Sequence, residues 1–298
     1  MTLKDCPKYC QEHNGEMWFR EALAGPVGNS LRVDQVIYHD ASEHQDLLVF
    51  ENETYGRVLV LNGIVQVTTA DEFIYHEMMA HVPLLAHGQA KKVLIIGGGD
   101  GGVGREVLKH KGVEKLTLVE IDADVVKFSK EWLPTVSDGA FEDPRFEVII
   151  TDGVEFMRDS QEHFDVIIVD STDPVGPGEV LFTREFYTDC QKRLNPGGIL
   201  VTQNGAPFLQ PQELTNSYRS FDLLFKHATF YAITVPTYPG GVMTLGFATD
   251  NTEALSIDVE TLKTRFEALN TPTRYYTPEL HKGAFQLPAY VRACMTPE

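Results

Sequence analysis

The stretch KVLIIGGGDGG, Lys92 to Gly102, decides the fold. An apolar β-type run passes directly into five glycines interrupted by one carboxylate, Asp100. Glycines at the end of a strand let the backbone approach a ligand and adopt positive φ. In a doubly wound α/β sheet this is where ligands sit, at the carboxyl ends of strands. A glycine loop by itself also serves as a tight strand-to-helix turn.

The texture downstream of the loop alternates in the same way. GREVLKHKG is followed by LTLVEI, ADVVKFSKEWL, FEVIIT, GVEFMRDS, FDVIIV and GILVTQ. Apolar runs separated by helical patterns predict an α/β fold with a mostly parallel sheet covered on both faces. ATFYAITV and VMTLGFAT flank the turn PTYPGG and predict a closing antiparallel pair. Upstream, DEFIYHEMMAHVPLLAHG has Phe73, Met78, Met79, Val82 and Leu85 near helical spacing, with Asp71 and Glu72 at its start. From Leu31 to Thr69 the chain instead carries short β runs divided by turn signals such as Asn62-Gly63. The expected division is a small antiparallel β domain over 1–70 and a Rossmann-like domain over 71–298.

Composition narrows the partners. The 298 residues carry a formal charge of −18, with 43% in the hydrophobic class. So acidic a surface argues against nucleic acid and anionic membrane and suits a cationic small molecule, although acidity also serves solubility alone. No apolar run reaches membrane-span length, and the N-terminus lacks a signal-peptide pattern. The four cysteines, Cys6, Cys10, Cys190 and Cys294, form no zinc pattern and fit a reduced, cytoplasmic protein.

Three successive strand ends carry nucleoside chemistry. The first is the glycine loop. The second, VEID, offers Glu120 at roughly 20 residues further on, where an acid can accept bonds from ribose hydroxyls. The third offers Asp152 and Gly153; Asp152 can accept from an adenine amino group or simply N-cap the next helix. Asp100 would repel a pyrophosphate. A nucleoside with a cationic tail and no carboxylate suits it best. At about 4 Å and an effective dielectric near 20, a ligand carboxylate there would cost about 4 kcal/mol.

A second acidic cluster follows. FDVIIVDSTDPVGPGE places Asp170 at a strand end and Asp173 in the loop, and no lysine or arginine occurs from Asp159 to Thr183. Such a loop can hold a second cationic group. It can also turn through its own side-chain bonds, or bind Mg²⁺ through oxygens. Tyr75, His76 and Tyr238 are candidates to line a methylene chain near these acids, and each can equally be structural.

The chain resembles the spermidine synthase family of aminopropyltransferases. The resemblance rests on DEFIYHEM, VLIIGGGDGG, LVEID, DPRFEVIITDG, DVIIVDSTDPVGPGE and PTYPGG, and it extends from about Val33 to HKGAFQLPAYV. It implies a β-strand domain followed by a methyltransferase-like Rossmann domain. It also implies transfer of an aminopropyl group from decarboxylated S-adenosylmethionine to putrescine, without organic cofactor or metal, in a homodimer or homotetramer. By position, it implies donor contacts at Gln45, His76, Asp100, Glu120, Asp152, Gly153 and Pro177. It implies a proton acceptor at Asp170, assisted by Tyr75, and acceptor contacts at Tyr75, Asp170, Asp173, Tyr238 and Gln66. Gly104 departs from the larger apolar residue of many relatives, which leaves the packing of the loop open. The competing readings are an S-adenosylmethionine-dependent methyltransferase, which shares fold and glycine loop, and a non-catalytic polyamine-binding protein.

Overall fold

The computed structural model describes residues 8–21, 27–172 and 176–296. Seven strands precede the first helix: β1 (Cys10–His13), β2 (Glu16–Arg20), β3 (Ser30–Arg32), β4 (Gln35–Ala41), β5 (Asp46–Asn52), β6 (Gly56–Leu61) and β7 (Ile64–Thr68). They form two antiparallel sheets, β1-β2-β3 and β4-β5-β6-β7. Asn62 and Gly63 both have positive φ, 50° and 81°. That geometry matches the natural strand twist and sets the Leu61–Ile64 pairing. The hairpin of β1 and β2 begins earlier than the β texture expected from Leu31. Its strands are short and largely polar, but Asn14-Gly15, with φ of 53° and 80°, is the same turn signal.

Helix α1 (Glu72–His87) ends where Gly88 adopts the left-handed conformation, its N–H donating to the Leu84 carbonyl. The expected apolar stripe is only part of the helix surface. α1 is buried on nearly every face, so Glu72, His76, Glu77 and His81 are buried with it.

The main sheet comprises β8 (Lys92–Gly97), β9 (Lys115–Glu120), β10 (Phe146–Ile150), β11 (Phe164–Asp170), β12 (Leu194–Gln203), β13 (His227–Ile233) and β14 (Met243–Thr249), in the order β10-β9-β8-β11-β12-β14-β13. The first five in that order are parallel, and β14 runs antiparallel to both of its neighbours. Alternate residues of β8 enter opposite cores: Val93 and Ile95 face α1, while Leu94 and Ile96 pack with Ile167, Val169 and Phe186. Burial on both faces explains why these strands read as continuous apolar runs.

The connections along the sheet include α2 (Gly102–Leu108), α3 (Ala123–Trp132), α4 (Pro134–Ser137) and α5 (Gly153–Asp159). Gly104 in α2 lies against Phe146, whose ring would stand 2.8 Å from an added Cβ. A larger residue there requires α2 to move, which accounts for the glycine. The four-stranded sheet packs Leu47, Leu59 and Leu61 against Val125, Phe128 and Val136 of α3 and α4. No helix among the described residues is long and apolar enough to cross a membrane.

Candidate active site

Strand order reverses between β8 and β11, and the register brings Gly97 opposite Asp170 there. Crevices at such switch points are the usual ligand sites of open α/β sheets. A cavity of about 240 Å³ opens here, roofed by Leu59, Leu61 and Val65 of the four-stranded sheet. Its described lining contains no lysine or arginine, but it contains Asp100, Glu120, Asp152 and Asp170.

The glycine loop shapes the floor. Gly97 and Gly98 have φ of 82° and 67°, and Gly98 donates its N–H to the Asp170 carbonyl at 3.0 Å. A Cβ on Gly98 would lie 2.7 Å from Asp170 Oδ2. Only glycine meets both constraints without strain. Asp100 closes the loop by accepting the Gly102 N–H on Oδ1 at 2.7 Å.

Helix α1 delivers two adjacent side chains in different directions. Tyr75 donates its hydroxyl to Asp170 Oδ1 at 2.6 Å. Burial raises the Asp170 carboxyl to about 6, and Asp100 adds to this, while the Tyr75 hydrogen bond and His76 oppose it. Burial and Asp170 together push the Tyr75 phenol well above its ordinary range, so it stays a donor. The Tyr238 ring lies edge-on to Tyr75 at 6.4 Å, and its hydroxyl donates to the Gln66 carbonyl.

His76 Nδ1 lies 2.6 Å from Glu72 Oε2, and its Nε2 lies 3.5 Å from Asp100 Oδ2. Burial acts to lower its pKa, but the carboxylates of Asp100 and Glu72 prevail and raise it to about 10. This amends the sequence reading. No cation occurs near Asp170 in the chain, yet the fold brings one from α1. The field of Asp100 is therefore partly compensated, and the full 4 Å repulsion estimate is an upper limit.

The opposite wall of the cavity is carried by the ends of β9 and β10. Glu120 accepts the Asp122 N–H at 2.9 Å, and burial raises its carboxyl to about 7. Asp152 lines the cavity and N-caps α5, accepting from Val154 at 2.7 Å, so its capping reading holds. Gly153 lies beside it, where a Cβ would stand 2.6 Å from Ile96. Gln45 reaches in from the four-stranded sheet, with its amide on Asp122 Oδ2 at 3.1 Å.

The structure thus brings Gln45, Gln66, Tyr75, His76, Asp100, Glu120, Asp152, Gly153, Asp170 and Tyr238 around one cavity. Asp173 lies outside the described residues, as do Cys6 and the side chain of Pro177. Sequence reasoning missed Glu21 and Gln203, which also line the cavity. It missed Asp122, which holds Gln45, and Asp71, which accepts from Thr68 at 2.7 Å and from the Thr237 hydroxyl at 2.6 Å. Asp71 thereby ties the start of α1 to the Tyr238 loop. Its only sequence signal was a helix-start position. Glu21 had none, because its segment carries no motif.

Fold and site together define a doubly wound α/β protein with an acid-lined cavity at the switch point of its main sheet. The family model described as spermine/spermidine synthase domain matches residues 72–258, and that described as spermidine synthase tetramerisation domain matches residues 17–69. The chain is 57% identical over 277 residues to the polyamine aminopropyltransferase of Ruegeria sp. (strain TM1040), covering 93% of this chain and 98% of that one. It is 52% identical over 280 residues to that of Pectobacterium carotovorum subsp. carotovorum (strain PC1), covering 94% and 97%. Among solved structures, a spermidine synthase in complex with the transition-state analogue AdoDATO superposes with a TM-score of 0.90 at 39% identity, covering 99% of each chain. The spermidine synthase from Thermotoga maritima gives 0.87 at 37%, again covering 99% of each. The chain belongs to the spermine/spermidine synthase family.

Proposed function

We propose that this chain moves the aminopropyl group of decarboxylated S-adenosylmethionine to putrescine, giving spermidine and 5′-methylthioadenosine. The observation that carries the proposal is the Tyr75–Asp170 hydrogen bond of 2.6 Å in a cavity whose described lining has acids but no lysine or arginine. Such a cavity favours positively charged nitrogen at both ends of a reacting pair.

In this reading Glu120 and Gln45 hold the ribose side, and Asp152 with Gly153 the adenine. Asp100 receives the donor's amine. Tyr238, Gln66 and Tyr75 surround the acceptor chain. The acceptor amine attacks the methylene bonded to the sulfonium. The carbon–sulfur bond breaks, its electron pair stays on sulfur, and a neutral thioether departs. No general acid, metal or organic cofactor is needed for such a leaving group. The nucleophile must instead be freed of a proton, since an alkylammonium near pKa 10.4 has no lone pair. Asp170, raised to about 6, is closer to that value than an ordinary carboxylate and orients the amine while taking its proton. Alignment of amine, methylene and sulfur supplies the remaining acceleration.

Cys190 and Cys294 are free thiols, which suits a cytoplasmic location. The match of residues 17–69 to a domain named for tetramerisation supports a homo-oligomer, dimer or tetramer. The test is product analysis with the decarboxylated donor and a panel of putrescine, cadaverine, agmatine and spermidine. Stoichiometric 5′-methylthioadenosine and spermidine are expected, with putrescine preferred. Methyl transfer from S-adenosylmethionine without aminopropyl transfer would overturn the proposal.

A further inference from the structure

Behind Asp100 lies a chain of alternating charges that runs away from the cavity. His76 stands between two carboxylates, Glu72 at 2.6 Å and Asp100 at 3.5 Å. A neutral imidazole has one N–H, so one of its nitrogens would turn a lone pair towards a carboxylate; the cation donates on both sides. Glu72 is in turn gripped by Arg105, whose Nη1 and Nη2 reach Oε1 and Oε2 at 3.1 and 2.9 Å. Arg105 is itself fixed by Glu106 at 2.8 Å and by the Val136 carbonyl at 2.6 Å. Glu72, His76 and Glu106 are buried.

We propose that Glu72 and Arg105, from behind His76, act as positioning residues for the donor's amine site. They hold His76 as an imidazolium cation, and that cation directs Asp100 and lets Asp170 ionise beside it. The kinetic consequence rests on the aminopropyltransferase reading; the charge state of His76 does not.

The charge balance around the reacting groups gives the reason. Asp170 is faced by Tyr75 and His76 from α1, by Asp100 from the glycine loop and by Glu120 from the end of β9. His76 is faced by Glu72 and Tyr75 from its own helix, by Asp100 from the loop and by Asp170 across the cavity, with Arg105 of α2 behind Glu72. Among these groups His76 is the cation nearest the acids that line the cavity. Removing the Glu72 charge lets the His76 proton leave. Asp170 then faces Asp100 without compensation and takes up its proton at higher pH.

Two measurements test this. Nitrogen-15 spectra of labelled histidine in the ligand-free protein are expected to show both His76 nitrogens protonated from pH 6 to 9. In Glu72→Gln the ring should carry a single proton at pH 6 and above. For turnover, the acidic limb of kcat/KM for the decarboxylated donor should move up by about one pH unit in Glu72→Gln and in His76→Gln. That is a loss of about fivefold at pH 6, approaching about tenfold below it, and a much smaller one at pH 9. Arg105→Lys should retain the wild-type limb and Arg105→Met should shift it. A singly protonated His76 at pH 7 in the wild type would overturn the proposal. So would an equal loss at every pH in both glutamine variants, which marks a purely structural role. If aminopropyl transfer itself is absent, the spectra still decide whether His76 is a cation.

Discussion

At the residue scale the site is governed by where acids are placed and what keeps them ionised. Asp170 sits at a strand end with one oxygen held by Tyr75 and the other facing the glycine loop. An amine approaching it meets an oriented, desolvated carboxylate rather than a hydrated one. Asp170→Asn keeps the shape and removes the proposed base. Turnover should fall by about 10²–10⁴-fold, the usual worth of a positioned base. Binding of 5′-methylthioadenosine, whose proposed contacts lie on β9 and β10, should change by less than about threefold. Steady-state kinetics and calorimetric titration of the two proteins check both statements, and unchanged turnover removes Asp170 from the mechanism.

At the element scale the glycine loop and α1 form a single joint with β11. Gly98 illustrates the constraint, since it combines a φ of 67° with a Cβ position 2.7 Å from Asp170 Oδ2. Gly139 has φ of 78° but nothing within 4 Å of its Cβ position. The pair separates backbone strain from crowding. Both alanine variants should lose about 1 kcal/mol of stability from the left-handed backbone. Gly98→Ala alone should lose at least tenfold in kcat/KM, because Asp170 must move. Equal kinetics for the two variants would show that the close approach has no functional weight. Denaturant titration and initial rates distinguish these outcomes.

At the scale of the whole molecule, stability is tied to the charges that line the cavity. The carboxyls of Asp170 and Glu120 are raised from 3.8 to about 6 and from 4.5 to about 7. A raised carboxyl favours the folded state fully below its unfolded value and loses that contribution as pH rises through the folded one. His76, raised from 6.5 to about 10, follows the same sign at higher pH. Between pH 5 and 8 these groups all pull stability downward, by a few kcal/mol together at about 1.4 kcal/mol per unit. The net charge of −18 adds self-repulsion in the same direction. The lowered imidazoles of His87, His110 and His281 contribute with the opposite sign up to about pH 6.5, so the Tm of the ligand-free protein should fall between about pH 6.5 and pH 8. 5′-Methylthioadenosine with spermidine should raise it more at pH 8, where the acids are ionised and a cation relieves them. Scanning calorimetry at the two pH values checks this, and a larger ligand shift at about pH 6.5 would contradict it.

The alternation from Lys92 onwards determined the doubly wound sheet, because strands buried on both faces must be apolar throughout and helices must cover them. The glycine loop and the acids at strand ends were legible for a similar reason: their types are dictated by backbone geometry and charge, which act locally. The β1–β2 hairpin was less legible, since its strands gain their burial only from the neighbouring sheet. The partners of the site acids were not legible at all. Arg105, Asp122 and Asp71 act on groups that lie far away along the chain, and although Glu72 stands one helical turn from His76, its ion pair with Arg105 joins residues 33 apart. Only packing of α1 against the glycine loop decided that a histidine cation stands beside Asp100, because Coulomb interactions depend on separation in space and the chain records only separation in sequence.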